Sequence, residues 1–259
     1  MTDPLDFAIN LALQAGDLLQ NYYSPTGIQS TVKADHTVVT EADLAADRLI
    51  TRQIKLQYPD NEILSEESSH ILKDPKSPTW VIDPLDGTTN FSLGLAIWGV
   101  SIARLVNRFP ELGVIYFPRL NELYSAKQGA GAYLNSKPTT VRAPDPTQPN
   151  SFFACCSRSF RTFNISIPYK PRILGSSTYT ISMVARGLAL LALDATPKIW
   201  DLAAVWLLVE ESGGIMSVFD GSPPFPLSPD LDYNSISYTV LSAATPNLLQ
   251  MAQKMIHRK

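Results

Sequence analysis

The sequence predicts a mixed α+β and α/β protein, with helices on an antiparallel sheet in its first half and an α/β unit with a smaller mixed sheet in its second half. Amphipathic segments begin the chain, short β-rich runs separated by turn residues follow at 95–135, and strands and helices alternate after residue 150. A proline-rich segment at 142–150 separates the halves. We therefore expect one domain over 1–259 with two subregions, 1–142 and 150–259.

Capping residues and apolar periodicity predict five helices. Ser176, Asp201 and Thr245 each stand where an N-cap is expected, and Thr40 followed by Asp43 resembles a capping box with Asp in place of Glu. The expected helices cover residues 3–23, 40–59, 176–187, 201–214 and 245–259.

Strands are expected wherever β-branched and aromatic residues cluster between turn signals. Those of the first half cover residues 62–69, 79–84, 96–106, 111–117, 121–127 and 130–135, the last four forming an antiparallel meander. Those of the second half cover residues 151–157, 172–174, 214–219 and 238–245, with a buried apolar run at 188–193.

Composition excludes several classes of protein. Of 259 residues, 45% are hydrophobic, and 21 basic against 24 acidic residues leave a net charge of −3, so no basic excess favours nucleic acid or an anionic membrane. Cys155 and Cys156 are adjacent, which favours buried reduced thiols over a disulfide or zinc site. The first residues lack the basic region of a signal peptide, and no apolar run reaches 18 residues, so we expect a cytoplasmic protein.

The segment TWVIDPLDGTTNF, residues 79–91, carries the strongest chemical signal. An apolar strand delivers Asp83 at its carboxyl end, where sheet-based sites lie, and Pro84 cannot continue the ladder, so a turn is expected there. Asp86 follows closely enough for both carboxylates to contact one ion. Gly87 permits close backbone approach, and the two threonines after it offer N–H groups for phosphate at a helix start.

Further acids stand in matching contexts: Glu66 and Glu67 end one strand, and Asp201 begins a helix. If these ends meet, the carboxylates repel one another by roughly 4 kcal/mol for each pair of charges about 4 Å apart at an effective dielectric near 20. Bound cations would remove that cost. Ligation by oxygen alone indicates Mg²⁺, and two metals sharing one carboxylate suit attack on phosphorus.

Each feature also has a plain structural interpretation. Asp201 alone is explained as an N-cap, Asp83 with Pro84 as a turn, and Glu66 with Glu67 as a solvated strand edge. Spacing does not by itself exclude these three interpretations together.

The block WVIDPLDGTTNF, with SEES before it and WDLAAVWLLVEESGG after it, resembles the inositol monophosphatase family, and the resemblance extends over nearly the whole chain. It implies a layered α-β-α-β-α sandwich of the sugar-phosphatase type. It also implies a Mg²⁺-dependent, lithium-sensitive phosphatase with two or three ions per site. Family members are commonly homodimers, so a homodimer is expected.

The resemblance assigns a role to each matching position. Glu66, Asp83 and the Leu85 carbonyl would hold one Mg²⁺, and Asp83, Asp86 and Asp201 would hold a second. Thr88 with Glu66 would activate a water, while Asp43 would hydrogen-bond Thr88 and Glu67 would support the metals. The residues expected to contact phosphate or substrate are Asp86, Gly87, Thr88, Thr89, Gly175, Ser176 and Asp194. Lys33 would lie on a mobile loop near the metals.

The expected reaction is hydrolysis of a small phosphorylated metabolite, inositol-1-phosphate, with no covalent phosphoenzyme. Alternatives are a 3′(2′),5′-bisphosphate nucleotidase, a fructose-1,6-bisphosphatase with Arg172 or Lys198 on the distal phosphate, and a non-catalytic ligand-binding relative. The aliphatic run before Asp194 departs from the family pattern and predicts an altered floor of the substrate pocket.

Overall fold

The computed structural model describes residues 3–32, 38–145 and 150–259. Within these ranges the α-helices are α1 Pro4–Tyr22, α2 Glu41–Gln57, α3 Thr88–Ser92, α4 Ser159–Thr162, α5 Ser177–Ala185, α6 Ile199–Glu211 and α7 Pro246–Met255, with a 3₁₀ turn at Pro118–Leu120.

The strands of the first half are β1 Thr31–Val32, β2 Val38–Val39, β3 Glu62–Ser65, β4 Thr79–Asp86, β5 Gly99–Val106, β6 Phe109–Phe117, β7 Glu122–Lys127, β8 Gly131–Leu134 and β9 Lys137–Pro138. Those of the second half are β10 Phe152–Cys155, β11 Phe163–Ile165, β12 Lys170–Ile173, β13 Ala189–Asp194, β14 Ile215–Val218, β15 Val240–Ala243 and β16 Ile256–Arg258.

These elements stack in five layers. Helices α1 and α2 cover one face of a seven-stranded sheet of order β3-β4-β5-β6-β7-β8-β9. Helices α5 and α6 lie between that sheet and a five-stranded sheet of order β12-β10-β13-β15-β14, and α7 packs on the far side. The expected α-β-α-β-α sandwich is therefore confirmed. The second sheet is mixed as expected, because β12, β10 and β13 run parallel while β15 is antiparallel to its neighbours.

Local capping explains the N-terminal helices. The Asp3 carboxylate accepts from the Leu5 N–H at 2.7 Å, and Pro4 occupies the first turn, where its missing N–H costs no hydrogen bond. The Asp43 carboxylate accepts from the Thr40 N–H at 2.8 Å, so that end of the capping box forms as expected. Both helices bury an apolar face against the sheet.

Expectations about α6, the last helix and the first sheet were wrong. Helix α6 begins at Ile199, so Asp201 lies in its first turn, where it accepts from the Lys198 N–H at 2.6 Å, rather than acting as the N-cap. The last helix ends at Met255, because Ile256–Arg258 leaves it to pair with β11. The first sheet is not wholly antiparallel, since β3 and β4 run parallel.

Most of α6 is buried because it lies between two sheets, and its apolar residues join the cluster that spans both. Strand β13 is buried along its whole length at the centre of the second sheet. Among the described helices, none is both long and apolar enough to cross a bilayer.

Candidate active site

A bulge in β4 brings two aspartates to the same side of the sheet. Asp83 pairs with Ser101 and Asp86 with Gly99, so three steps along β4 match only two along β5. Residues three apart in a regular strand point to opposite faces, and one extra residue restores the same face. Pro84 was expected to end the strand; instead the strand continues to Asp86, and this irregularity accommodates the proline.

Other elements bring their acids to the same place. Glu66 follows β3, Asp194 ends β13 and Asp201 lies in the first turn of α6. Together with Asp83 and Asp86 they line one cavity of about 430 Å³. The site thus combines the end of each sheet with a helix from the layer between them.

Three aspartates converge within this cavity, and each carboxylate accepts at least one backbone hydrogen bond. One carboxylate oxygen from each of Asp83, Asp86 and Asp201 lies within 4.8 Å of the others. The Oδ1 atom of Asp83 accepts from the Leu85 N–H at 3.0 Å, and Oδ2 of Asp201 accepts from the Lys198 N–H. Short backbone bonds therefore fix the direction of these carboxylates.

Asp86 is held by the start of α5. Its Oδ2 accepts from the hydroxyls of Ser176 and Thr178 and from the Thr178 N–H at 3.0 Å, while Oδ1 accepts from the Ser177 N–H at 3.1 Å. A carboxylate offers about four lone-pair directions, so the more lightly bonded Oδ1 retains capacity for a cation. The helix N-terminus also stabilises the charge.

Burial and mutual repulsion raise the pKa values of these acids. Burial raises the pKa of Asp83 well above its ordinary value, and the charges of Glu66, Asp86 and Asp201 raise it further. Burial followed by the charges of Asp86 and Glu66 does the same to the pKa of Asp201. Burial also raises the pKa of Asp86 and Asp194, against the hydrogen bonds that favour their charged forms.

Thr88 connects the cavity to helix α2. Its Oγ1 lies 2.9 Å from Asp43 Oδ1 and 2.9 Å from the Leu85 carbonyl oxygen. A hydroxyl has one proton, so it donates to only one of these acceptors at a time. Burial, above all other causes, raises the pKa of Asp43 to about 6, and the charge of Glu67 acts in the same direction.

Two glycines allow the phosphate-side loops to approach each other. Gly175 has φ of +78°, and a Cβ there would lie 2.5 Å from Asn90 Oδ1. The Asn90 amide donates to the carbonyls of Ile97 and Leu174, both at 2.8 Å, so it ties α3 to the loop before α5. Gly87 has φ of +84°, and a Cβ there would lie 2.9 Å from the Ile97 carbonyl oxygen.

The lining of this cavity includes most of the residues that the sequence predicts. Those that line it are Glu66, Asp83, Leu85, Asp86, Gly87, Thr88, Thr89, Gly175, Ser176, Asp194 and Asp201. Asp43 and Glu67 are outside that lining; Asp43 bonds Thr88, and the charge of Glu67 acts on Asp43. Lys33 lies outside the described residues, and the catalytic roles of these side chains stay predictions.

One of the two side chains proposed for a distal phosphate lies away from the cavity. Arg172 lies on the exposed edge strand β12, where it donates to the Pro171 carbonyl rather than lining the cavity. The aliphatic residues 189–193 belong to the hydrophobic core, and Asp194 is the residue of β13 that lines the cavity, so an altered pocket floor stays a prediction.

Sequence reasoning missed several lining residues. Ser177 donates to Asp194 at 2.8 Å, and Cys156 lines the cavity, where burial and then the charge of Asp194 raise the pKa of its thiol. Arg158, which also lines the cavity, donates to Thr196 at 3.0 Å. The position of Cys156 and Arg158 just beyond the carboxyl end of β10 was the available signal, since ligands bind there in open α/β sheets.

The donor set fits a hard divalent cation. The converging atoms are carboxylate oxygens, which Mg²⁺ prefers, and their 4.8 Å spread compares with roughly 4.2 Å between opposite ligands in an octahedral Mg²⁺ shell. The donors to Asp83, Asp86 and Asp201 among the described residues are N–H and hydroxyl groups. A cation would offset their repulsion.

A five-layer sandwich with a carboxylate-lined cavity at its sheet ends defines a phosphatase-type scaffold with a candidate metal centre. The family model of the inositol monophosphatase family matches residues 1–257. The chain is 35% identical over 235 residues to a Nus factor SuhB of Escherichia coli (strain K12), covering 86% of this chain and 88% of that protein. It is also 35% identical over 221 residues to a histidinol-phosphatase of Chlorobaculum parvum, covering 83% and 85%.

Solved structures agree with this assignment. An IMPase of Thermotoga maritima superposes with a TM-score of 0.80 at 27% identity, covering 98% of this chain and 96% of that one. An inositol monophosphatase from Anabaena (Nostoc) sp. superposes with a TM-score of 0.75 at 27% identity, with the same coverages. The chain belongs to the inositol monophosphatase family, whose members are generally metal-dependent and include phosphatases.

Proposed function

We propose that the protein hydrolyses a phosphate monoester with Mg²⁺, and that inositol-1-phosphate is its substrate. The observation that carries this proposal is the convergence of oxygens from Asp83, Asp86 and Asp201 within 4.8 Å in a cavity of about 430 Å³. Such convergence of like charges is costly unless a cation is bound. It also argues against a non-catalytic relative, which would have no need to keep these carboxylates together.

Glu66, Asp83, Asp201, the Oδ1 atom of Asp86 and the Leu85 carbonyl would hold the cations. Bound Mg²⁺ neutralises the charge of the phosphate and lowers the pKa of a bound water. Backbone N–H groups at the start of α3 would orient the phosphate oxygens. Lithium sensitivity, two or three ions per site and a homodimer stay predictions from the resemblance.

Thr88 and Asp43 would control the proton of the attacking water. With Asp43 ionised, Thr88 donates to Asp43 Oδ1, which turns a lone pair of the threonine oxygen toward the cavity. That lone pair can accept a hydrogen bond from a water, while Glu66 in the lining would accept its other proton. The water would then be oriented by Thr88 at the start of α3 and by Glu66 after the end of β3.

A substrate with a second anionic group is the other candidate, and two side chains favour it. Lys198 and Arg158 line the cavity, and their described partners are the Asn234 carbonyl and the Thr196 hydroxyl, both neutral. No described carboxylate forms an ion pair with either side chain. A distal phosphate of a bisphosphate substrate would neutralise them.

A substrate panel tests both candidates. Inositol-1-phosphate, fructose-1,6-bisphosphate, adenosine 3′,5′-bisphosphate and histidinol phosphate are compared by kcat/KM with Mg²⁺ and with EDTA. We expect Mg²⁺-dependent turnover of inositol-1-phosphate, and its loss in Asp201→Asn. The absence of hydrolysis of every ester at saturating Mg²⁺ would refute the proposed function.

The bisphosphate alternative has its own variant. Lys198→Gln would lower kcat/KM for fructose-1,6-bisphosphate at least tenfold more than for inositol-1-phosphate if a distal phosphate binds there. Arg172→Gln is the matched control, because this exposed arginine lies outside the cavity. Equal effects of Lys198→Gln on both esters would eliminate that alternative.

A further inference from the structure

Helix α2 carries two buried acids one turn apart, and the proposed mechanism uses only the first. Asp43 accepts from Thr88, while Asp47 is 5% exposed and turns toward the segment after β3. The Oδ1 atom of Asp47 accepts from the Ser65 hydroxyl and from the Ser68 hydroxyl at 3.2 Å. Positions four apart share one face of a helix, so both acids point to the same side of α2.

The two serines bracket the turn that carries Glu66 and Glu67. Ser65 and Ser69 also close this turn through backbone bonds, with the Ser65 N–H on the Ser69 carbonyl at 2.7 Å and the reverse bond at 3.3 Å. His70 Nε2 lies 2.8 Å from the Glu66 carbonyl oxygen. One carboxylate of α2 therefore contacts both sides of the segment that presents Glu66 to the cavity.

We propose that Asp47 is a positioning residue, which fixes the Glu66 turn against α2 and so sets the distance between Glu66 and Thr88. This inference rests on the proposed function, because it assumes that Glu66 serves the metal and the water. Ser65 is fully buried, so water cannot readily replace its bond to the Asp47 carboxylate, and charge-assisted bonds in a dry environment are strong. Asp47 is outside the cavity lining and acts through the turn.

The common attachment to α2 has a functional consequence. Asp43 fixes the start of α3 through Thr88, and Asp47 fixes the end of β3 through Ser65. The two groups proposed to orient the water come from segments over twenty residues apart in sequence, and one rigid helix holds both. A shift of either attachment changes their separation, which is a quantity that catalysis depends on strongly.

The test measures Mg²⁺ affinity by calorimetry as well as turnover, in wild type, Asp47→Ala and Asp47→Asn. Loss of a group that supports metal ligands typically weakens metal affinity or activity about 10–100-fold, and we expect this in Asp47→Ala. With saturating Mg²⁺, kcat should fall while KM for the ester changes less than about twofold, because the phosphate-side loops are untouched. Asparagine keeps an acceptor oxygen for the serines, so Asp47→Asn should recover most of the loss.

Two control variants separate positioning from simple stability. Glu41→Gln changes an exposed acid of the same helix and should leave affinity and turnover unchanged. Ile54→Val trims a fully buried side chain of α2 and should lower the midpoint of thermal unfolding without weakening Mg²⁺ binding. If Asp47→Ala does not fold, Ser68→Ala should show a smaller loss of affinity in the same direction.

The proposal would be overturned if a folded Asp47→Ala bound Mg²⁺ and turned over the ester as the wild type does. If Asp47→Ala does not fold, the same result in Ser68→Ala would overturn it. A loss of affinity that Ile54→Val reproduces at equal stability would also overturn it. Failure of the wild type itself to bind Mg²⁺ and to hydrolyse any ester would instead refute the proposed function.

Discussion

Replacing Asp83 with asparagine tests the charge balance of the site, because it removes one charge while keeping the shape of the side chain. In the wild type the Leu85 N–H donates to Asp83 Oδ1 at 3.0 Å, and the Oδ1 atom of an asparagine can accept the same bond and keep the same rotamer. Without metal, the ionised Asp83 is destabilised by burial and by the charges of Glu66, Asp86 and Asp201. The substitution should therefore stabilise the metal-free protein while abolishing Mg²⁺-dependent turnover.

The size of the stabilisation follows from the geometry. Two unit charges on oxygens within 4.8 Å repel by at least about 3.5 kcal/mol at an effective dielectric near 20. Partial protonation of the cluster limits the penalty, so we expect a gain of about 3 kcal/mol at pH 8. For a chain of this size that corresponds to a rise of roughly 6–12 °C in Tm.

The difference in stability between Asp83→Asn and the wild type depends on pH and on bound metal. Because the folded pKa of Asp83 is raised, the penalty is absent below the unfolded value of 3.8, grows between that value and the folded pKa, and is fully present above the folded pKa. The advantage of Asp83→Asn should therefore shrink toward acidic pH. Added Mg²⁺ should raise the Tm of wild type and not that of the variant, because only the wild type keeps the shared ligand.

Differential scanning calorimetry of EDTA-treated protein measures this effect, with Asp60→Asn as the matched control at an exposed position. A metal-free Asp83→Asn that melts at or below the wild-type temperature at pH 8 would refute the charge argument. Undiminished turnover in the variant would refute the metal assignment.

The remaining predictions concern Thr88, Asp43 and Gly175. Thr88→Val should lower kcat about 10²–10⁴-fold with calorimetric Mg²⁺ affinity unchanged, whereas Thr88→Ser should stay within about tenfold; equal losses would contradict the hydroxyl's role. In metal-free protein, ionisation of Asp43 lowers the free energy of unfolding by about 3 kcal/mol, because burial raises its pKa from 3.8 to about 6. This cost is absent below pH 3.8 and fully present above pH 6. Asp43→Asn should therefore flatten the pH dependence of the free energy of unfolding measured with urea. Gly175→Ala should cost about 2 kcal/mol by denaturant unfolding and lower kcat/KM, since its Cβ would lie 2.5 Å from Asn90; an unchanged midpoint would contradict this.

Local chemistry predicted the five long helices, because caps and periodicity are short-range signals, whereas the layered sandwich was expected from the family resemblance. The Asp43 bond to Thr40 that closes the start of α2 is one such case, and it formed as expected. The start of α6 was misplaced because an acid in the first turn resembles an N-cap in sequence. Only the structure distinguishes the Asp201 bond to the Lys198 N–H from a cap at Asp201 itself.

The geometry between Asp83 and Asp86 could not be predicted from spacing. A three-residue interval in a strand places side chains on opposite faces, and only the register shift against β5 reverses this. The hydrogen bonds from Ser176 and Thr178 to Asp86 likewise join residues about ninety positions apart in sequence. Such contacts depend on how two sheets and a helix layer meet, which periodicity within one segment does not specify.

The two sides of the cavity are built from different elements, so the class of reaction and the choice of substrate depend on different residues. The side proposed for metal and phosphate comes from the ends of β3 and β4 and the start of α6, where buried and half-buried acids leave little freedom to vary. The side proposed for the leaving group carries Arg158, Ser177 at the start of α5 and Lys198 just before α6, and the two charges there can change without disturbing the core. Two cations with no ion-pair partner among the described carboxylates disfavour an amine-bearing leaving group and favour hydroxyl or anionic ones. Selectivity among phosphate esters should therefore follow the charge at Arg158 and Lys198, and substitutions there should change the preferred ester while Mg²⁺ dependence stays.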